Sequence, residues 1–140
     1  MMELRAPALL SDLQTIAKGL KVTLPEDYIQ FMLLHNGGEG PVGDYGYLAV
    51  FSTDEIAEFY QEPGAKDAMP GFFFFASDLS GYLYAYDLRA MDATVVEIPD
   101  DISDASEIKP VAHSFAGFID YIYQIDDSDF EDILREGELK

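Results

Sequence analysis

Two histidines, His35 and His113, and a long run of acids are the residues of this 140-residue chain that could break bonds or hold a metal. An imidazole titrates near neutral pH and, beside a serine and an aspartate, can activate a nucleophile. His35 closes an apolar helix face, however, and His113 directly precedes Ser114. A part-buried polar residue and a helix-start neighbour account for them without catalysis. Asp100, Asp104 and Glu107 are hard oxygen donors of the kind calcium takes, but the stretch lacks the central glycine and the spaced donor series of a calcium-binding loop. A solvated acidic loop is the simpler reading. Asp78 and Asp87 sit at the ends of two strand-like runs, where turn hydrogen bonding explains the first and solvent exposure the second. The chain has no phosphate-binding glycine motif and no cysteine, so a thiol nucleophile, a disulfide framework and a Cys-based zinc site are excluded. The expectation is a protein that is not an enzyme, with no catalytic residues, no metal and no cofactor.

Charge is the stronger signal. Eight Lys and Arg stand against 27 Asp and Glu, a net charge of −19. Such a chain repels nucleic acid and anionic lipid and attracts a basic partner, with association speeded by the field and weakened by salt. The acids concentrate in the last third, between Glu97 and Glu107 and again from Asp120 to Glu138, where Arg135 is the one cation. Asp100, Asp101, Asp104, Glu107, Asp126, Asp127, Asp129, Glu131 and Asp132 are therefore the candidate partner-binding surface. Tyr82, Tyr84 and Tyr86 recur at alternate positions and so share one strand face. That face is either covered by a helix or forms an aromatic contact surface, since tyrosine suits places that are dry at one end and wet at the other.

The elements that must carry these residues follow from periodicity. A helix is expected from about Pro7 to Ala17, stopped by Gly19. A second starts with Pro25 in the first helical position, buries Tyr28, Phe31, Met32 and His35 on one face, and closes at Asn36-Gly37-Gly38 in a left-handed cap. Tyr45 to Phe51 reads as a strand, and Ser52-Thr53-Asp54-Glu55 as a capping box opening a third helix. Phe72 to Ala76 is an unbroken apolar run, suited to a strand buried on both faces, and it forms a hairpin with Tyr82 to Leu88 across Ser77 to Gly81. Thr94 to Ile98 adds a strand. Ser114 caps a helix through Phe115, Phe118, Ile119 and Ile122, and Ser128 caps a short acidic helix over 128–137.

Length and 49% apolar residues fit one domain over 1–140, of α+β class, with a mainly antiparallel central sheet flanked by N- and C-terminal helices. The N-terminus lacks a basic start and apolar run, and no segment approaches the roughly 18 apolar residues of a membrane span. A soluble cytoplasmic protein is expected, monomeric or a weak homodimer, with no nucleic-acid or membrane partner.

Three blocks in order resemble the SUKH superfamily, which includes fungal cell-wall-assembly regulators and bacterial immunity proteins. They are Leu24-Pro25-Glu26-Asp27-Tyr28 with its helix and Asn36-Gly37-Gly38, the hairpin from Pro70 to Arg89 with Asp78 and Gly81, and Ser114-Phe115-Ala116-Gly117-Phe118. Together they span about residues 20 to 125. The chain departs from the family in having no Trp after the glycine turn, where Tyr45, Tyr47 or Phe51 stands instead, and a single glycine in the central turn. The resemblance implies that Leu24, Pro25, Tyr28, Phe31, Asn36, Gly37, Gly38, Asp78, Gly81, Phe115 and Phe118 are framework. It further implies a non-catalytic binding domain, an immunity protein that neutralises a cognate basic toxin such as a nuclease. The alternative is an intracellular scaffold or regulatory adaptor, and a small-ligand binder or enzyme stands behind both.

Overall fold

In the computed structural model, which describes residues 3–62, 69–89, 92–99 and 107–125, a seven-stranded antiparallel sheet runs in chain order. Its strands are β1 (Glu3–Leu4), β2 (Gly38–Val42), β3 (Gly46–Val50), β4 (Phe72–Ser77), β5 (Tyr82–Asp87), β6 (Thr94–Pro99) and β7 (Lys109–Ala112). Among the described residues four helices flank it: α1 (Leu10–Leu20), α2 (Glu26–Leu34), α3 (Thr53–Gln61) and α4 (Phe115–Tyr123). The α+β class follows, and the expected final helix over 128–137 lies outside the described residues. No described helix is long and apolar enough to cross a membrane.

The core is built on β4, whose six residues are all buried, as an apolar run without polar alternation requires. Phe73 and Phe75 meet Tyr28 of α2 with ring centroids 5.4 and 5.6 Å away. Phe75 also stacks on Tyr86 at 4.7 Å and meets Phe118 of α4 at 5.3 Å. On α3, Phe59 packs on Phe74 at 5.4 Å. Strand β3 pairs with β4 only at Ala49↔Ser77 and Val50↔Ala76, which leaves the start of β4 without a ladder on that side. The Tyr60 hydroxyl fills the gap, accepting from Phe74 N (2.9 Å) and donating to the Phe72 carbonyl (3.4 Å). A buried backbone donor would otherwise be orphaned.

Asp27 joins the starts of α2 and α4: Oδ1 accepts from Tyr28 N at 2.8 Å and Oδ2 from Phe115 N at 2.7 Å. Ser114 caps α4 as expected, accepting from Gly117 N.

Several boundaries differ from expectation. Helix α1 begins at Leu10 because residues 5–8 form an extended strap: Ala8 N donates to the Met32 carbonyl, Asn36 N to Ala6 and Arg5 N to Gly37. Gly19 lies inside α1, and Lys21 (φ 58°) provides the left-handed stop. Pro25 is the N-cap, one residue before its expected position, since its ψ of 141° is extended while its carbonyl accepts from Ile29 N. Helix α2 ends at an extended His35, and Asn36 is not left-handed. Its amide instead clamps the start of α3, Oδ1 accepting from Thr53 N and Nδ2 donating to Thr53 Oγ1. Gly37 alone takes the positive φ (79°) that turns the chain into β2.

The capping box of α3 is complete, with Glu55 N donating to Ser52 Oγ and Ser52 N to Glu55 Oε1. Glu55 also pairs with Arg5. Burial pushes its carboxyl up, but the Ser52 N–H and the Arg5 guanidinium outweigh this and hold it below the ordinary value. A carboxyl lowered by folding contributes stability above its unfolded pKa, and that contribution is lost as pH falls through the folded value. The stability advantage of wild type over Glu55→Gln in urea unfolding is therefore expected to be largest near neutral pH and to shrink below about pH 4. A gap independent of pH would overturn this.

Candidate interaction surface

Of the acids expected to bind a partner, Asp100, Asp101, Asp104, Asp126, Asp127, Asp129, Glu131 and Asp132 lie outside the described residues. Glu107 is exposed, in a single turn just before β7. The described part of the chain carries further exposed acids that the sequence reading passed over, including Asp12 on α1 and Asp54 and Glu58 on α3. Acidity is thus not confined to the C-terminal third.

The tyrosine stripe divides. Tyr84 and Tyr86 are each 1% exposed, so as a contact surface they are ruled out, and helices cover them. Phe118 of α4 packs on Tyr84 at 4.9 Å and Tyr28 of α2 on Tyr86 at 5.8 Å. Tyr82, beyond the reach of α4, is 41% exposed and keeps the contact reading open for itself. Tyr45, Tyr47 and Tyr123 are also exposed. Tyr45 lies in the turn between β2 and β3, and that turn abuts the end of α4, since a Cβ at Gly43 would lie 3.2 Å from the Tyr123 Cα.

Glu97 has a structural role that its place in an acidic run did not signal. Its Oε2 accepts from Tyr84 Oη at 3.0 Å and from Tyr121 Oη at 2.9 Å. Burial first, and then the Glu97 charge, raise the Tyr84 phenol, so it stays a donor throughout the ordinary pH range. A β5 tyrosine and an α4 tyrosine are in this way tied to one β6 carboxylate, with Lys109 opposite it on β7.

Asp78 does the turn chemistry expected of it, accepting from Ser80 N and Tyr82 N. Asp87 departs from simple exposure. Arg89 reaches back to both its oxygens at 2.9 Å, and this pairing holds the carboxyl below its ordinary value. His35 Nδ1 lies 3.1 Å from the Arg5 carbonyl and its ring faces Phe31, a structural setting, while His113 is exposed between β7 and α4. Among the described residues no group of three or more His, Asp or Glu is arranged to hold a metal ion. A cleft of about 490 Å³ at the β1 edge, lined by Glu3, Arg5, Glu39 and Tyr47, is polar and open, and the Tyr47 hydroxyl there donates to Glu39.

A comparison with protein families matches residues 7–121 to the one described as the SMI1 / KNR4 family (SUKH-1). No curated protein matches the chain.

Proposed function

The chain belongs to the SMI1 / KNR4 family (SUKH-1), and from that membership together with its charge we propose that it is a non-catalytic binding domain, an immunity protein that neutralises a cognate basic toxin. The observation that carries this reading is the excess of 27 acids over 8 bases. A toxin that grips nucleic acid must present a cationic cleft, and a −19 protein is complementary to such a cleft, steering encounter and occupying the face that would take substrate. Asp100, Asp101, Asp104 and Glu107, then Asp126, Asp127, Asp129, Glu131 and Asp132, are the proposed contributors. Exposed Tyr82 is the aromatic contact within reach of the same reading.

The test is the association rate with a candidate cognate toxin, sought as the product of a neighbouring gene. It is expected to fall by on the order of tenfold as salt rises from about 0.05 to about 0.5 M. An on-rate indifferent to salt would sink the electrostatic argument. The triple variant Asp100→Lys, Asp101→Lys, Asp104→Lys should bind more weakly with its unfolding midpoint unchanged, whereas loss of folding would make that segment structural. The family description names no toxin, which leaves a scaffold or regulatory adaptor as the second reading. Recovery of host proteins instead of a toxin by the tagged chain in its native host would favour it.

A further inference from the structure

The described fold makes no evident use of Gly19. It is the second-last residue of α1, and glycine in a helix costs up to about 1 kcal/mol relative to alanine, the full figure applying to the interior. Its φ is outside the left-handed region, and a Cβ built on it would meet no atom within 4 Å. Neither strain nor close packing within the described chain accounts for it. What glycine leaves at this position is open space on the wall of a groove.

That groove, of about 470 Å³, runs between α1 and α3. Ile16 and Leu20 on one side and Ile56, Ala57 and Tyr60 on the other make it apolar, and the Tyr60 hydroxyl is turned away into β4. Its rim is acidic. At 100° per residue Asp54 and Glu58 flank Ala57 and Gln61 on the solvent side of α3, and Asp12 continues the stripe of Thr15, Ile16 and Gly19 along α1. All three carboxylates are exposed. Lys18, the cation of α1, sits about 100° around the helix from Gly19.

We propose that the α1–α3 groove is a docking site for a short amphipathic helix of a basic partner. Its apolar side would seat on Ile16, Leu20 and Ala57, over the buried Ile56 that floors the groove, its backbone would approach most closely over Gly19, and its flanking Lys or Arg would meet Asp12, Asp54 and Glu58. A helix is the occupant because both walls are helices with satisfied backbones, so an extended peptide would find no strand edge to pair with. Charge complementarity selects a cationic helix over an acidic one. The sign of that charge rests on the reading of the chain as a binder of basic proteins; the groove rests on geometry alone.

The experiment titrates the full chain with a synthetic Leu/Lys peptide of about four helical turns, patterned to be amphipathic, and with a scrambled isomer of identical charge. Amide shifts are followed by two-dimensional NMR. The amphipathic peptide is expected to bind on the order of tenfold more tightly than the isomer, a difference of about 1.4 kcal/mol, with shifts centred on Thr15, Gly19, Ala57 and Gln61. Gly19→Leu, whose Cβ enters open space and whose side chain would occupy the groove, should abolish that preference and leave the melting temperature unchanged or higher. Ala57→Arg repeats the test from the opposite wall, so the proposal does not hang on the folding of one variant. Equal affinity for the two peptides, shifts confined to other faces, or a preference that survives both variants would overturn the groove and leave the basic-protein reading standing. Failure of both peptides to bind at low salt would overturn the groove and the basic-protein reading together.

Discussion

Tyr28→Ala is expected to destabilise the protein by about 3–5 kcal/mol in urea unfolding, the usual range for a buried aromatic, whereas Tyr28→Phe is expected to cost nothing. Tyr28 is fully buried, and its ring meets Phe73, Phe75 and Tyr86 edge-on at 5.4 to 5.8 Å. Truncation removes a ring that links α2 to two strands, and the neighbouring rings, fixed on β4 and β5, cannot close around the space. Against a typical total of about 5–15 kcal/mol, such a loss takes about a fifth or more of the stability. The hydroxyl is another matter. It is buried and has no hydrogen-bond partner among the described residues, and burial raises its pKa, so it is a neutral, unsatisfied group. Leaving such a group unpaired costs about 1–3 kcal/mol, so removing it as phenylalanine is neutral or stabilising. An alanine cost below about 1.5 kcal/mol would mean that the cluster collapses around the gap, and a clear loss in Tyr28→Phe would mean that the hydroxyl is satisfied.

Elements set by local rules were legible in the sequence. The unbroken apolar run became β4, the alternating tyrosines became β5, and Ser52 and Glu55 formed both halves of the capping box. Elements decided by contacts far along the chain were not. Strand β2 is Gly-Glu-Gly-Pro-Val, a composition that reads as a turn, and it is a strand because β3 and β1 pair on its two sides. Strand β7 holds Pro110 and takes the sheet's outer position, where a missing N–H is tolerated. Pro7 looked like a helix start, and the strap made by Arg5, Ala6 and Ala8 on the end of α2 overrode it.

The charge of the candidate interaction surface can be counted in the sequence, whereas the places of its acids cannot be read there. Net charge comes from counting, yet which acids face solvent and which serve the fold depends on tertiary pairing. Glu97 looked like one more surface acid and holds two tyrosines, and Asp27, named only as part of the family block, accepts from backbone N–H groups in the first turns of two helices. Alternation put Tyr82, Tyr84 and Tyr86 on one face correctly, but where the covering helix stops is not written in the strand. The groove beside Gly19 gave no signal at all, because it exists only once α1 and α3 lie side by side.

Gly37→Ala is expected to destabilise the protein by about 3 kcal/mol or more, while Gly19→Ala stabilises it by up to about 1 kcal/mol. The residue types and the change are identical, and what differs is what the new methyl meets. At Gly37 the backbone sits at φ 79°, a region costing an L-residue roughly 1–2 kcal/mol. The added Cβ would also lie 2.9 Å from both Phe51 C and Ser52 N, and closer still to the Val50 carbonyl oxygen. These are main-chain atoms fixed by the β2–β3 ladder and the α3 cap, so no side chain can swing away to make room. The methyl must push apart the junction where Asn36 clamps Thr53. At Gly19 the methyl enters open space and gains helix propensity. Thermal unfolding of the two variants should therefore move in opposite directions. A Gly37→Ala cost under about 1 kcal/mol would mean that the turn relaxes, and that the glycine pair after α2 marks the fold without being required by it.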